Sequence, residues 1–185
     1  SSADAYTLPD GVEVGILERD TGGSLAGNGG DNMLQAYYAE SYLYGLGGID
    51  TLYGSNGFDS LDGGDGNDVL VGYGRGDGLI CGAGNDTFRY YSVDGSDSAV
   101  TAPDAIIDFV SGVDKIDLSS VDANLTVGGD QAFSYTVMPT GAAGEIWIVA
   151  IVDGWYKVYA DLDGGGADMS IDIYTSSIST SDFYF

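Results

Sequence analysis

A nine-residue repeat is the sequence feature that most restricts how this chain can fold. From Ala36 onward, six contiguous units fill residues 36–89: AYYAESYLY, GLGGIDTLY, GSNGFDSLD, GGDGNDVLV, GYGRGDGLI and CGAGNDTFR. A further unit, AGNGGDNML at 26–34, precedes them and is offset by Gln35. The sixth position carries Asp31, Ser41, Asp50, Asp59, Asp68, Asp77 and Asp86, and the eighth carries Met33, Leu43, Leu52, Leu61, Leu70, Leu79 and Phe88. A fixed period of this kind predicts stacked structural repeats.

The order of residue types within one unit matches the G-G-x-G-x-D-x-U-x signature of a calcium-binding parallel β-roll. The glycines predict a turn, because glycine adopts backbone angles closed to other residues and leaves carbonyl oxygens pointing inward. The last three residues predict a short strand whose middle side chain faces the core. Two units complete one turn of the coil, so unit n is expected to stack on unit n+2. The repeat therefore predicts an all-β protein built as a right-handed parallel β-roll.

Stacked turns of this composition suit Ca²⁺, which takes six to eight oxygen ligands at about 2.3–2.6 Å. Each site would combine backbone carbonyls with one carboxylate from each of two stacked turns. The strongest predicted pairs are Asp50 with Asp68, Asp59 with Asp77, and Asp68 with Asp86. The candidate ligand residues of the repeats are Gly45, Gly47, Asp50, Gly54, Asn56, Asp59, Gly63, Gly64, Asp65, Gly66, Asp68, Gly72, Gly74, Asp77, Gly82, Gly84 and Asp86. Ser41 and the offset Asp31 weaken the sites nearer the N-terminus, and a solenoid that has lost its metal is the alternative interpretation.

The composition agrees with oxygen-ligand loops and argues against several classes of partner. Only four of the 29 acidic residues are glutamate, which leaves 25 aspartates beside 31 glycines. With five basic residues and a net charge of −24, no basic stripe for nucleic acid or an anionic membrane is expected. A halophilic or simply soluble acidic surface is the alternative explanation of this charge. The lone Cys81 cannot form an intramolecular disulfide, and we interpret it as an incidental thiol at a glycine position.

The remaining sequence divides the chain into three parts. Residues 1–25 contain Val12, Val14 and Ile16 at alternating positions and are predicted to form an N-terminal strand or an extra rung before the roll at 26–89. Residues 90–185 are predicted to form a C-terminal cap, which the open end of a solenoid requires. Strands are expected in this cap around Ala132–Met138, Ile146–Val152, Trp155–Ala160 and Ile171–Tyr174. No apolar run of 18 residues is present, so no membrane insertion is expected.

A second acidic, glycine-rich segment, DLDGGGADMSID, lies at 161–172. It places Asp161, Asp163 and Asp168 at a spacing similar to that of an EF-hand loop, although Asp172 stands where that loop needs a bidentate glutamate. A plain β-turn is favoured over a calcium loop here. The sequence has no nucleophile motif, phosphate loop or zinc-ligand spacing, so intrinsic catalysis is not expected.

Six segments resemble the C-terminal RTX half of serralysin-type secreted metalloproteases, over about residues 26–185: GGDGNDVLV, CGAGNDTF, SDSAVTAPDAIIDFVSGVDKIDLSSVDAN, TGAAGEIWI, VYADLDGGGAD and SDFYF. The resemblance implies a calcium β-roll with a β-sandwich-like cap and about three to five Ca²⁺ ions. It also implies secretion to the outside of the cell through a type I secretion apparatus. A further calcium site between roll and cap would involve Asp97, Asp104 and Asp108.

The same resemblance assigns an uncleaved export motif to Asp182, Phe183, Tyr184 and Phe185. Two features depart from the family pattern: unit 36–44 is rich in tyrosine instead of glycine, and the chain has no histidine, so the zinc motif H-E-x-x-H is absent. Any protease chemistry would belong to a catalytic domain upstream of Ser1. The chain itself begins without methionine and is expected to be a non-catalytic fragment of a larger exported bacterial protein.

The leading expectation from the sequence is a module that folds on binding calcium. In a calcium-poor cytosol, repulsion between stacked carboxylates and the entropy of ordering many glycines would keep the roll unfolded. Calcium outside the cell would bind the folded state and stabilise it. The alternative is an extracellular binding module for polysaccharide or a cell-surface partner. Its aromatic contacts would be Tyr37, Tyr38, Tyr42 and Tyr44, which are more simply explained as strand-forming residues.

Overall fold

Short β-strands make up nearly all the regular structure of the protein. The computed structural model describes residues 5–91 and 102–185. Its strands are β1 Ala5–Thr7, β2 Val14–Leu17, β3 Gly23–Ala26, β4 Met33–Ala36, β5 Ser41–Gly47, β6 Thr51–Tyr53, β7 Ser60–Asp65, β8 Val69–Val71, β9 Gly78–Ala83, β10 Thr87–Arg89, β11 Asp104–Ile106, β12 Lys115–Asp117, β13 Ser134–Tyr135, β14 Glu145–Val152, β15 Trp155–Asp161, β16 Met169–Tyr174 and β17 Phe183–Tyr184. A short 3₁₀ helix spans Thr180–Asp182. Within the described ranges, no helix has the length and apolar character needed to cross a membrane.

Consecutive strands from β1 to β12 alternate between two sheets, so the chain crosses from one sheet to the other at every turn. One sheet has ten strands in the order β1-β3-β5-β7-β9-β11-β16-β15-β14-β13, and the other has seven in the order β17-β12-β10-β8-β6-β4-β2. Strands two apart along the chain pair in parallel, as Leu43 does with Leu61 and Leu52 with Leu70. The predicted parallel β-roll is therefore confirmed, together with the stacking of unit n on unit n+2.

Two ladders of apolar side chains fill the space between the sheets. On the ten-stranded sheet the ladder runs through Leu25, Leu43, Leu61, Leu79, Ile106 and Ile173. On the seven-stranded sheet it runs through Leu34, Leu52, Leu70, Phe88, Ile116 and Phe183. All twelve side chains are buried. One large apolar residue in each unit is sufficient because a three-residue strand directs only its middle side chain inward, and each such burial stabilises the fold by about 1.5–3 kcal/mol.

The register of the first repeat unit differs from the sequence prediction. Leu34 is fully buried in the core, whereas Met33, which the repeat alignment assigned to the core, is 45% exposed. Asn32 occupies the sixth position, because its N–H donates to the stacked carboxylate of the next coil at 2.6 Å. The unit therefore spans 27–35 and continues directly into the next, so Gln35 is its ninth residue and not an insertion. The prediction was wrong because it required aspartate at the sixth position.

Parallel stacking continues beyond the nonapeptide units at both ends of the roll. Before them, β2 pairs with β4 and directs Leu17 inward, while Val14 and Ile16 are exposed. After them, β11 pairs with β9 and β12 pairs with β10. Strands β14, β15 and β16 form an antiparallel group that joins the ten-stranded sheet where β16 pairs with β11, and β17 joins the other sheet at β12. The C-terminal half therefore closes the last coil by extending both sheets.

Candidate metal centre

The turns of the roll lie along two edges, and each edge carries one column of stacked residues. Edge A consists of segments 27–32, 45–50, 63–68, 81–86 and 107–114, which lead from the ten-stranded sheet to the seven-stranded sheet. Edge B consists of segments 36–41, 54–59 and 72–77, which lead back. Because successive units alternate between the edges, the sixth-position residues alternate as well. Asp50, Asp68 and Asp86 lie on edge A, and Ser41, Asp59 and Asp77 lie on edge B.

Each carboxylate on edge A holds the backbone of the preceding coil. Oδ1 of Asp68 accepts a hydrogen bond from the N–H of Asp50 at 2.7 Å, and Oδ1 of Asp86 accepts one from the N–H of Asp68 at 2.8 Å. Asp50 Oδ1 in turn accepts the N–H of Asn32 at 2.6 Å, and Asp114 Oδ1 accepts the N–H of Asp86 at 3.2 Å. One oxygen of every carboxylate in this column is thus used to join two coils.

The second oxygen of three of these carboxylates is free to bind a ligand. Oδ2 of Asp50, Asp68 and Asp86 is buried and has no hydrogen-bond partner among the described residues. A Cβ placed on Gly63 would lie 2.5 Å from Asp68 Oδ2 and 2.6 Å from the carbonyl oxygen of Cys81. Glycine at this position therefore lets a carboxylate oxygen and a carbonyl oxygen of the next coil approach each other closely. Carboxylate and carbonyl oxygens are the ligands that Ca²⁺ prefers, so the residues present fit that ion.

Burial makes this column electrostatically unfavourable without a cation. Loss of hydration raises the pKa of Asp50 to about 6, with a further contribution from the negative charges of Asp68 and Asp31. Loss of hydration likewise raises the pKa of Asp86 to about 6, and the charge of Asp114 adds to the effect. A divalent cation beside these carboxylates would favour their ionised forms, because an opposite charge lowers the pKa of a carboxyl group.

Edge B differs from edge A at one unit. Asp59 Oδ2 accepts the N–H of Ser55 at 2.5 Å and its hydroxyl at 3.0 Å, while Asp59 Oδ1 accepts the N–H of Ser41 at 2.7 Å. Both oxygens are therefore used within the protein, and the calcium site between Asp59 and Asp77 remains a prediction. Ser55 causes the difference from edge A, because serine readily forms local hydrogen bonds of this kind. The column still continues, since the N–H of Asp59 donates to Asp77 Oδ1 at 2.7 Å.

Left-handed backbone angles recur in the turns, even where the residue is not glycine. Gly64, at the second position of its unit, has a φ of +97°, and Leu46 and Tyr73 at equivalent positions have φ values of +79° and +67°. Arg75, at a fourth position, has a φ of +71°. A residue with a Cβ is destabilised by about 1–2 kcal/mol in this region. The stacking of the coils therefore imposes the turn geometry at these three residues against their local preference.

The residues that the family resemblance assigned to one further site are separated in the structure. Asp104 lies on edge B, where its Oδ1 accepts the N–H of Asp77 at 2.9 Å. Asp108 lies on edge A, where its carboxylate accepts the N–H groups of Cys81 and Gly82 at 2.9 and 2.8 Å. Asp97 lies outside the described residues. Asp104 and Asp108 thus extend two different columns and do not form one site.

Sequence reasoning missed Asp114, which is fully buried and continues the column on edge A. Asp114 follows Asp86 by 28 residues, whereas the hydrogen bonds between stacked repeats join residues that are 18 apart. A search for aspartates at that fixed spacing therefore does not find Asp114. A usable signal was the order of residues in SGVDKID: a glycine and an aspartate lie directly before a short strand, as in the nonapeptides.

The remaining residues predicted as ligands are distributed over both edges. On edge A lie Gly45, Gly47, Gly64, Asp65, Gly66, Gly82 and Gly84, and on edge B lie Gly54, Asn56, Gly72 and Gly74. Asp65 and Asn56 are the only two of these with functional side chains, and both are exposed. Their assignment as ligands remains a prediction, and for the glycines it rests on their backbone carbonyl oxygens.

The acidic loop at Asp161 uses its carboxylates for hydrogen bonds within the protein. Asp161 Oδ1 accepts the N–H of Gly164 at 2.7 Å, and its Oδ2 accepts the N–H of Gly166 at 3.1 Å. Oxygens of Asp161, Asp163 and Asp168 lie within 4.8 Å of one another. Both oxygens of the buried Asp161 are bonded within the loop, and the choice between a β-turn and a calcium loop remains a prediction.

The tyrosines of unit 36–44 lie at two separate places on the surface. Tyr42 and Tyr44 are exposed on the outer face of β5, and Tyr37 and Tyr38 are exposed in the segment before it. A different aromatic column forms along the roll, in which the ring of Tyr53 stacks on that of Tyr73 with centroids 6.2 Å apart. The role of the four exposed tyrosines as a contact surface remains a prediction.

Known proteins similar to this chain include one solved structure and one sequence family. The solution structure of a subunit of the mannuronan C5-epimerase from Azotobacter vinelandii is 22% identical, with a TM-score of 0.41, over all of this chain and 85% of that chain. None of the curated proteins compared with the chain matches its sequence. The family model for the C-terminal part of serralysin peptidases of the M10 class matches residues 58–185, which is more than half of the chain. The resemblance stated from the sequence is thereby confirmed, and the chain belongs to the serralysin C-terminal family of RTX-repeat modules.

Proposed function

We propose that this chain is a module that folds when Ca²⁺ binds along edge A, at the carboxylates of Asp50, Asp68 and Asp86. The observation that carries the proposal is the column of three buried Oδ2 atoms that have no hydrogen-bond partner among the described residues. A buried polar atom without a partner destabilises a fold by about 1–3 kcal/mol, and a charged one by more. Membership of an RTX-repeat family supports calcium as the cation.

Calcium would act on the folding equilibrium of the roll. Without it, the folded state brings buried carboxylates into one column and orders a glycine-rich chain, and both effects are unfavourable. The ion binds only the stacked turns, so its binding free energy adds to the free energy of unfolding. Extracellular calcium modules bind in the range of about 10⁻⁴–10⁻³ M. An affinity in that range would leave the module unfolded in the cytosol and folded outside the cell.

The burial of the proposed export motif supports export of the chain before it folds on calcium. Asp182 is fully buried and accepts hydrogen bonds from Ser111 Oγ at 2.7 Å and from the N–H groups of Gly112 and Ser179 at 2.8 Å. Phe183 is buried at the end of the core ladder. A secretion apparatus could contact these side chains only before β17 docks. Export of the unfolded chain would therefore precede calcium binding.

We further propose that the module is the non-catalytic C-terminal part of a larger secreted bacterial protein, with any catalytic activity in a domain upstream of Ser1. Two observations support this role: the matched family comprises the C-terminal parts of serralysin peptidases, and the carboxylates of edge A are each used to join coils. Peptidase or glycosidase turnover by the calcium-loaded chain alone would contradict it.

A calcium titration followed by circular dichroism tests the main proposal. The wild-type chain is compared with Asp68→Asn, which removes a buried charge of the column, and with Asp153→Asn, which removes an exposed charge outside the predicted sites. We expect the wild type and Asp153→Asn to gain β-structure cooperatively at similar calcium concentrations. For Asp68→Asn we expect a midpoint at least about tenfold higher, equivalent to about 1.4 kcal/mol. Equal folding of the wild type with and without a calcium chelator would contradict the proposal.

A binding function for the outer face of β5 is the second candidate. Tyr42 and Tyr44 are exposed there and lie beside Ser60 and Asp62 of β7. A sugar ring could stack on the exposed phenol rings. A Tyr42→Ala/Tyr44→Ala double variant should keep calcium-dependent folding and lose retention on a polysaccharide resin to which the wild type binds. Equal retention of the two proteins would exclude this face as the contact surface.

A further inference from the structure

The last coil of edge A contains a donor atom that its other turns lack. The first position of the unit is glycine at 45 and 63, but in unit 81–89 it is Cys81, whose side chain is fully buried. Cys81 Sγ lies 3.3 Å from Asp108 Oδ1 and 3.7 Å from Asp114 Oδ2. Ligand atoms of Cys81, Asp86 and Asp114 all lie within 4.8 Å of one another. A thiol and three carboxylates therefore meet where the turn at 81–86 stacks on the segment 107–114.

Both oxygens of Asp108 and of Asp114 accept backbone hydrogen bonds, whereas one oxygen of Asp86 does not. Asp86 is 1% exposed, and its Oδ2 has no hydrogen-bond partner among the described residues. Asp114 is also 1% exposed and accepts the N–H of Val110 at 2.7 Å through Oδ2. The single hydrogen of the Cys81 thiol is shared among the surrounding carboxylates. Buried carboxylates at this density are stable only when a cation or a proton compensates their charge.

We propose that Cys81, Asp86 and Asp114 bind a thiophilic divalent cation of the type of Zn²⁺ or Cd²⁺. Ca²⁺ binds oxygen ligands, whereas a thiolate favours Zn²⁺ and softer ions. Three protein ligands leave one position of a tetrahedral ion, and Asp108, next to Cys81 Sγ, is placed to fill it directly or through water. On binding, the ion exchanges water ligands for the sulfur of Cys81 and one carboxylate oxygen each of Asp86 and Asp114, and the thiol proton passes to the solvent.

Such an ion would clamp the repeat units to the C-terminal half. Cys81 and Asp86 belong to the last nonapeptide, and Asp114 belongs to the segment that follows β11. The inference goes beyond the calcium proposal: the cluster shares Asp86 with edge A, but Cys81 and Asp114 are ligands that the calcium proposal does not use, and the thiol gives the cluster a different selectivity. It gives a role to Cys81, which the sequence suggested to be an incidental thiol and whose side chain is fully buried in the column.

Cadmium binding tests the inference, because a cadmium–thiolate bond produces a ligand-to-metal charge-transfer band in the ultraviolet. Since Cys81 is fully buried, Cd²⁺ is added to the metal-free chain first, and the band is measured after saturating calcium has folded the roll around it. We expect a band that saturates at one Cd²⁺ per chain and disappears on competition with Zn²⁺. Cys81→Ser and Cys81→Gly should lose the band, and Cys81→Gly restores the residue found at 45 and 63. The exposed Asp153→Asn serves as the control and should keep both the band and the calcium-induced change in circular dichroism.

The outcomes separate this inference from the proposed function. A wild-type chain that folds in calcium but gives no charge-transfer band, or a band that does not saturate near one equivalent, would overturn the thiophilic site alone. A saturable band in a chain whose folding ignores calcium would support the site and defeat the calcium proposal. Asp114→Asn should weaken Cd²⁺ binding at least about tenfold while the band persists, because the sulfur ligand remains. Unchanged affinity in Asp114→Asn would contradict the ligand set.

Discussion

The backbone N–H of Asp50 donates a hydrogen bond to Oδ1 of Asp68, 18 residues further along the chain, at 2.7 Å. The next bond of the same kind joins Asp68 to Asp86 at 2.8 Å. Each carboxylate therefore holds the preceding coil with one oxygen, while the other, Oδ2, is buried without a partner among the described residues. The short side chain of aspartate allows both roles in one turn, which accounts for the excess of aspartate over glutamate in the repeats.

Two glycine positions of edge A are expected to respond differently to substitution. In Gly63→Ala the added Cβ would lie 2.5 Å from Asp68 Oδ2, whereas in Gly47→Ala it would find no atom nearer than 3.8 Å. We expect Gly63→Ala to raise the calcium midpoint of folding at least about tenfold, or about 1.4 kcal/mol. Gly47→Ala should shift it little. Circular dichroism during calcium titration measures both, and equal shifts would contradict a cation site beside Gly63.

The corrected register of the first unit predicts opposite effects at two adjacent residues. Leu34 is fully buried and Met33 is largely exposed. Leu34→Ala should lower the free energy of unfolding in saturating calcium by about 2–5 kcal/mol, and Met33→Ala should change it by no more than about 0.5 kcal/mol. Denaturant titration gives both values. A larger loss of stability in Met33→Ala than in Leu34→Ala would contradict this register and support the one predicted from the sequence.

The metal-free chain should become more stable as the pH falls from neutral toward 5. Loss of hydration raises the pKa of Asp50 to about 6 in the folded state, above the unfolded value near 3.9. The folded state therefore binds more protons in this interval, so the free energy of unfolding rises on acidification. Circular dichroism of calcium-stripped protein at several pH values measures the change, which should be smaller in Asp50→Asn. A metal-free wild type that loses structure between pH 7 and 5 would refute this assignment.

Asp182 should control the docking of the C-terminal strand β17. Its carboxylate accepts hydrogen bonds from Ser111, Gly112 and Ser179. Burial acts to raise the pKa of Asp182, but these hydrogen bonds outweigh burial and hold the pKa below its ordinary value. Asp182→Ala should cost about 1–3 kcal/mol and remove the hydrogen-exchange protection of the β17 amides. The exposed Asp153→Ala serves as control. Unchanged protection in Asp182→Ala would show that the terminal strand docks without this carboxylate.

The architecture of the roll could be predicted from the sequence because its determinants are local. A period of nine with one large apolar residue per unit fixes both the strand spacing and the inward face, so Leu43 and Leu61 were placed correctly. The burial of Leu34 was not predicted, because the sixth position of its unit is asparagine instead of aspartate. The routes by which β11, β12 and β17 join the two sheets could not be read from any repeat, since these strands lie outside the periodic segment.

The candidate site was predictable only where it obeys the period. Asp50, Asp68 and Asp86 were found because they recur every two units. Asp114 was missed, since the chain reaches the same column by a longer path between β10 and β12. The side-chain hydrogen bond from Ser55 to Asp59 could not be predicted either, because the spacing of aspartates does not reveal it.

Anomalous diffraction from crystals grown in calcium tests the central claim most directly. The account predicts anomalous peaks along edge A, with a Ca²⁺ ion about 2.3–2.6 Å from Asp68 Oδ2 and further ions beside Asp50 and Asp86. Crystals in saturating calcium in which Asp68 Oδ2 contacts only water or protein N–H groups would contradict it.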